Sequence, residues 1–209
     1  MKLILIAGLI LFQIVSFAQT ASPKGDLAVP YLKCSQQISK ENIQELIFKI
    51  TEDYFPELTD VHVTIKEFKA KNYFLQAKPQ VTSLFNSKVK RKYFIMINSS
   101  LYKCSPSTAA LKAILVHELE HIVDYENMYL GRFIKFTAKY VFGKNYRAHY
   151  EQATDMKAIQ KGFALGLVEY RLWVYQQLSE QELKKKEFFY LNPEEIIYIE
   201  SHRDLFFDN

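Results

Sequence analysis

Residues 114–125 read ILVHELEHIVDY, a run in which His117, Glu118 and His121 interrupt a pattern that otherwise belongs inside a protein. Across 107–127, Leu111, Ile114, Leu115, Val116, Leu119, Ile122 and Val123 cover most of a helix's circumference, as in a helix enclosed by its neighbours. Burying an ionised carboxylate and two imidazoles there without partners is costly. Residues four apart stand one turn above each other on one face, so His117 and His121 can aim ring nitrogens at a point about 2 Å from each. A zinc ion at that point satisfies them. Glu118 flanks it, placed to take a proton from a water whose pKa zinc lowers to about 7.

A zinc site that keeps one position open for water needs a third protein ligand. The segment AHYEQATDMKAIQKG (148–162) supplies candidates. Glu151 and Asp155 are again four apart, and Ala148, Ala158, Ile159 and Gly162 form a small or apolar face that suits close approach to the first helix. Glu151 can complete a set of two histidines and one glutamate, with one zinc per chain. Asp155 can accept the free ring N–H of a zinc-bound histidine and so fix its tautomer. His149 competes with Glu151 as third ligand, and His149, Tyr125, Tyr146 and Tyr150 are all open as donors to a developing oxyanion. A metzincin pattern is excluded, because it requires glycine at 124 and histidine at 127, where this chain has Asp124 and Asn127.

HELEH followed downstream by EQATD resembles the gluzincin metallopeptidases, the thermolysin-like group with H-E-x-x-H and E-x-x-x-D on two helices. The resemblance is confined to those two stretches. It implies a zincin-like fold in which His117, His121 and Glu151 bind zinc, Glu118 is the catalytic base and Asp155 orients His117. KYFIMIN (92–98), just before the first of these helices, is similar in placement to the edge strand on which such enzymes lay an extended substrate.

The elements that must position these residues follow from periodicity. Ser39 can cap a helix with Ile43, Leu46, Ile47 and Ile50 at helical spacing, stopped by Pro56. VHVTIKEF (61–68), NYFLQ (72–76) and KYFIMIN read as strands of a small, mostly antiparallel sheet. From Pro106 the pattern is helical. Ser179 with Glu182, and Asn192 with Pro193 and Glu195, mark the starts of two shorter C-terminal helices. One helix, then strands, then several helices predicts an α+β domain.

The chain has 209 residues, 49% of them hydrophobic, which suits one globular domain over 39–209. Its formal charge of +4 and short basic runs contain no base-reading motif, so nucleic acid is not an expected partner. Lys2, the apolar run Leu3–Phe17 and small residues at 16 and 18 form a signal-peptide pattern with cleavage after Ala18, followed by an N-terminal segment over 19–38. This predicts a secreted or periplasmic protein. Export makes a Cys34–Cys104 disulfide the expected state of the two cysteines, with Cys34 as a metal ligand the alternative. Segment 128–144 is amphipathic, with Tyr129, Phe133, Phe136 and Tyr140 on one side and Arg132, Lys135 and Lys139 on another, so it suits a packed surface helix or an anionic membrane surface. His62 and His202 are isolated, and nothing in the sequence speaks to oligomeric state. The function expected is a zinc-dependent endopeptidase acting on a protein or peptide substrate. The alternative is a catalytically inactive zinc-containing binding protein or a membrane-surface module.

Overall fold

The computed structural model describes residues 36–71 and 73–207. The signal-like segment 1–18 and Cys34 lie outside the described residues; Cys104 is not a free thiol. Helix α1 (Lys40–Tyr54) starts where Ser39 and Asn42 exchange side-chain-to-backbone hydrogen bonds, and buries Ile43, Ile47 and Ile50. Three strands follow: β1 (His62–Phe68), β2 (Leu75–Pro79) and β3 (Lys92–Asn98). The rest is helical: α2 (Ser100–Lys103), α3 (Thr108–Glu126), α4 (Leu130–Phe142), α5 (Lys144–Gln160), α6 (Ala164–Tyr175), α7 (Glu180–Phe189), α8 (Pro193–Ser201) and α9 (Arg203–Phe207). Both expected C-terminal capping boxes are present at Ser179 and Asn192, and α9 adds a further short helix.

The described sheet has the order β1-β3-β2, with β1 parallel and β2 antiparallel to β3. It is therefore mixed rather than mostly antiparallel, and β2 lies a few residues later than NYFLQ suggested. The physical reason is burial. Tyr93, Ile95 and Ile97 of β3 are all fully buried, so this strand takes the centre and separates the two strands that precede it in sequence. As the central strand β3 has no free edge, which corrects its expected role as substrate edge; β2 and β1 are the outer strands.

Helix α3 runs through the core beneath the sheet, with Leu111, Leu115, Val116, Leu119 and Ile122 fully buried. Ser107 caps its start by accepting the Ala110 N–H. Arg91, from a short basic run, is buried and donates to the Glu126 and Met128 carbonyls, at 3.2 and 3.0 Å, where α3 ends. Helix α6 lies almost in contact with α3: a Cβ at Gly166 would come within 2.6 Å of the Ala109 carbonyl oxygen and 2.8 Å of the Ala113 Cβ.

Helix α5 ends in a left-handed glycine. Gly162 has φ 89°, its N–H donates to Ile159 O at 2.8 Å, and the Phe163 N–H donates to Ala158 O at 3.1 Å, which together form a Schellman closure. Gly162 is thus the stop of the helix and not part of the packing face expected from sequence. Lys157 joins α5 to α3 through Asp124 at 2.7 Å, and Arg203 holds the Ile159 and Gln160 carbonyls at 2.8 and 2.7 Å. These ties leave α5 little freedom against α3, and that relationship sets the site.

Candidate metal centre

His117 and His121 lie one turn apart on α3, and Glu151 and Asp155 one turn apart on the facing side of α5. All four are buried. The two ring Nε2 atoms converge on a single oxygen, Glu151 Oε2, at 3.3 Å from His117 and 3.4 Å from His121. Those separations are long for hydrogen bonds to a carboxylate, which prefer about 2.7–2.9 Å. They match the edge of a tetrahedron whose centre is about 2.0–2.1 Å from each corner, which is about 3.3–3.4 Å for zinc with nitrogen and oxygen ligands. His117, His121 and Glu151 form the one cluster of potential metal-ligating groups found among the described residues. Their geometry and donor types fit a four-coordinate ion with one position left open.

Each histidine has its other ring nitrogen engaged. His117 Nδ1 lies 2.8 Å from Asp155 Oδ1, though off the line of a well-aligned hydrogen bond. His121 Nδ1 lies 3.1 Å from the Tyr150 hydroxyl. Burial first, then the charges of Tyr125, Asp124 and Glu151, hold that hydroxyl far above the usual phenol range, so it remains protonated and can accept from a protonated Nδ1 or donate to a bare one. With Nδ1 protonated on each ring, both imidazoles would present a free Nε2 to the same point. The contact the structure gives the Tyr150 hydroxyl at this centre is with His121 Nδ1.

Charged groups of both signs act on one another around this point. Burial alone would push His117 down, yet Asp155, by charge and hydrogen bond, with Glu151 and Glu118 behind it, raises it to about 10. Burial likewise opposes Glu151, but His121 and then His117 hold its carboxyl well below the usual range. Asp155, also opposed by burial, is held down by Arg171 and His117. Glu118, Glu151 and Asp155 thus stand in one buried region in which Arg171 is the guanidinium paired directly with a carboxylate. A divalent ion held by His117, His121 and Glu151 would add positive charge at the point where the two Nε2 atoms and the Glu151 oxygen meet.

Glu118 is placed by the sheet. Along β2 the bonds from Gln80 N to Lys92 O and from Asn98 N to Phe74 O show that even-numbered residues face β3. Ala77 therefore turns its N–H outward, and that N–H donates to Glu118 Oε2. This fixes one oxygen of a carboxylate whose charge acts on His117.

The remaining expected residues separate from the site. His149 is exposed on the opposite side of α5 and joins no ligand cluster, which removes it as third ligand; Tyr146 is exposed as well. Tyr125 packs against His121 and Phe133. His62 is exposed and His202 bonds within its own helix end.

Three contributors were not legible beforehand. Arg171 donates to both Asp155 oxygens at 2.8 Å, and Asp155 also accepts the Leu191 N–H at 3.0 Å. Tyr140 donates its hydroxyl to Glu151 Oε1. Tyr190 places its ring centre 6.0 Å from that of His117. For Arg171 a signal exists, since it is the only cation in the mostly apolar stretch LVEYRLWVY (167–175), whose one acid is Glu169, and a buried guanidinium must have an acid. The tyrosines offer no such signal in a chain with fourteen of them. A scan of protein-family models, a search of curated proteins and a search of solved structures each returned no match to this chain.

Proposed function

We propose that this protein is an exported zinc-dependent peptidase of the gluzincin type, with a zincin-like domain over 39–209, hydrolysing peptide bonds without a covalent intermediate. The observation that supports it most is the convergence of His117 Nε2, His121 Nε2 and one Glu151 oxygen at 3.3 and 3.4 Å, with the Glu118 carboxylate alongside.

Zinc, when bound, supplies Lewis acidity toward the scissile carbonyl and a water acidified to about pKa 7. His117, His121 and Glu151 would hold it. Glu118 takes the proton from the attacking water and returns it to the leaving amine. The Ala77 N–H fixes one Glu118 oxygen, and the other would receive the proton. Asp155 and Tyr150 would hold the imidazoles in the tautomer that turns Nε2 to the ion. β2, an outer strand whose odd-numbered residues turn outward, would take the substrate-edge role first assigned to KYFIMIN, with the Ala77 N–H already committed to Glu118.

The test pairs metal analysis with turnover of a diverse peptide mixture by residues 19–209. Chelator should abolish cleavage and zinc should restore it. Glu118→Gln should lower cleavage by about 10²–10⁴-fold, the usual contribution of a general base, with zinc content retained. Zinc binding without any cleavage would instead indicate the inactive binding protein. Export and a Cys34–Cys104 disulfide are checked by N-terminal sequencing, expected to begin at Gln19, and by thiol counting.

A second reading, contact with an anionic membrane through 128–144, is favoured by one observation. Phe133 and Phe136 of α4 are buried against Leu84 and Met128, yet Tyr129, Val141 and Phe142 remain exposed beside exposed Arg132, Lys135 and Lys139. Co-sedimentation with anionic against neutral vesicles tests it. No helix among the described residues is long and apolar enough to cross a membrane.

A further inference from the structure

Two cations stand one tyrosine away from the metal ligands. Lys186, half-buried on α7, has its ammonium 4.5 Å from the centre of the Tyr73 ring and 5.0 Å from that of Tyr190, the ring that lies 6.0 Å from His117. Arg147, in the first turn of α5, has its guanidinium 5.0 Å from the Tyr140 ring and 4.6 Å from the Phe189 ring, and Tyr140 is the residue bonded to Glu151. Among the described residues neither cation reaches a carboxylate at ion-pair distance, and Arg147 Nε is buried without a hydrogen-bond partner. Other cations near the site are satisfied: Arg171 by Asp155, Lys157 by Asp124, Arg91 by carbonyls.

Packing against rings stabilises a cation and accounts for part of this arrangement. It does not account for two like charges set together. Burial, then the charges of Arg171 and Arg147, hold the Lys186 ammonium down to about 8, with Glu151 and Glu118 only partly opposing them. Nor does the metal centre need these cations. Asp155 has Arg171, and a divalent ion on His117, His121 and Glu151 would take up the charge by which Glu151 and Glu118 act through space on these cations, leaving Lys186 and Arg147 with positive charge to spare. Tyr73, 47% exposed, marks the side on which this corner meets solvent.

We propose that Lys186 and Arg147 form a carboxylate-binding subsite beside the metal centre, and that the substrate carries a negative charge there, as a free C-terminus or as an Asp or Glu side chain. The assignment rests on the peptidase reading. The single intervening ring, Tyr190, puts the charge within about three residues of the scissile bond, at ~3.3–3.6 Å per extended residue. Arg147 can offer its fork of donors to a carboxylate, and Lys186 a point charge.

The test measures binding separately from turnover. Zinc-loaded Glu118→Gln protein is titrated calorimetrically with peptide pairs that differ only by charge: a C-terminal acid against its amide in one arm, and internal Asp or Glu against Asn or Gln in the other. In one arm the acid should bind at least about 10-fold tighter, the usual scale for a charge-assisted hydrogen bond, and that arm identifies the source of the carboxylate. Lys186→Met and Arg147→Met should each shrink the gap. Lys184→Met, on the exposed side of α7 and paired with Glu180, should leave it intact. Lys186→Gln replaces Lys186→Met if circular dichroism shows misfolding, and the parent pair comparison needs neither variant. Equal affinity of acid and amide in both arms, a gap that survives both substitutions, or no binding of any pair would overturn the subsite. Cleavage of peptides without an acid preference would remove the subsite and leave the peptidase reading standing. An acid preference in binding without any cleavage would do the reverse.

Discussion

Arg171 Nη2 lies 2.8 Å from both carboxylate oxygens of Asp155, and both residues are buried. The same carboxylate faces His117 Nδ1 and accepts the Leu191 N–H, while Arg171 Nε donates to Leu191 O at 3.2 Å. One ion pair thus ties α3, α5, α6 and the turn after α7 together at the metal centre. Asp155 is as much a structural anchor as a histidine partner.

Removing one member of that pair leaves an uncompensated buried charge, which typically costs about 3–5 kcal/mol. Asp155→Ala and Arg171→Met should each lower metal-free stability on that scale in urea unfolding. The double variant should lose less than the two single losses together. Strict additivity would mean that the pair does not act as a unit.

One zinc should bind per chain. Glu151→Ala removes the oxygen on which both Nε2 atoms converge and should lower zinc content sharply, whereas His149→Ala, exposed on α5, should retain it. Zinc at 100 times its dissociation constant should stabilise the parent by about 2.7 kcal/mol in thermal unfolding. Loss of zinc in His149→Ala with retention in Glu151→Ala would reverse the ligand assignment.

Tyr150 should act through His121. Tyr150→Phe removes the hydroxyl 3.1 Å from His121 Nδ1 and should weaken zinc affinity by about 10–100-fold. An oxyanion donor would behave differently, lowering turnover by about 10²–10³-fold while zinc affinity stayed unchanged. Competitive zinc titration and turnover at saturating zinc separate the two roles.

The acid preference should depend on pH. Burial first, with Arg171 and Arg147 adding to it and Glu151 and Glu118 opposing, depresses the Lys186 ammonium to about 8, so its charge is present below that pH and is lost as pH rises through it. The ratio of kcat/KM for an acidic peptide to that for its neutral counterpart should therefore fall above about pH 8, since kcat/KM reports the free enzyme. A ratio that is flat from pH 6 to 10 in the parent would show that Lys186 does not carry the preference.

Packing between α3 and α6 leaves no room at Gly166. Gly166→Ala would bring a Cβ within 2.6 Å of Ala109 O and 2.8 Å of Ala113 Cβ, and should destabilise the fold by about 1–3 kcal/mol. Gly162→Ala, where the space is open, tests backbone strain alone, because φ is 89° there. Thermal unfolding of the two variants distinguishes crowding from strain.

By itself the sequence determined whatever depends on near neighbours along the chain. The i, i+4 spacing of His117 with His121 and of Glu151 with Asp155 puts each pair on one helical face, whatever surrounds it. Ser39, Ser179 and Asn192 mark helix starts because a cap satisfies donors only three residues away. Alternation in KYFIMIN identifies a strand at its true limits. The tertiary structure decided what depends on partners far apart in sequence. The order β1-β3-β2 followed from burial of Tyr93, Ile95 and Ile97, and it moved the outer edge to β2 and set Ala77 against Glu118. Tyr140, Tyr150, Arg171 and Lys186 acquired roles through the crossing of α5 with α3 and the docking of α6 and α7. Periodicity records which face of an element is buried; it carries no record of which side chain waits on the facing element.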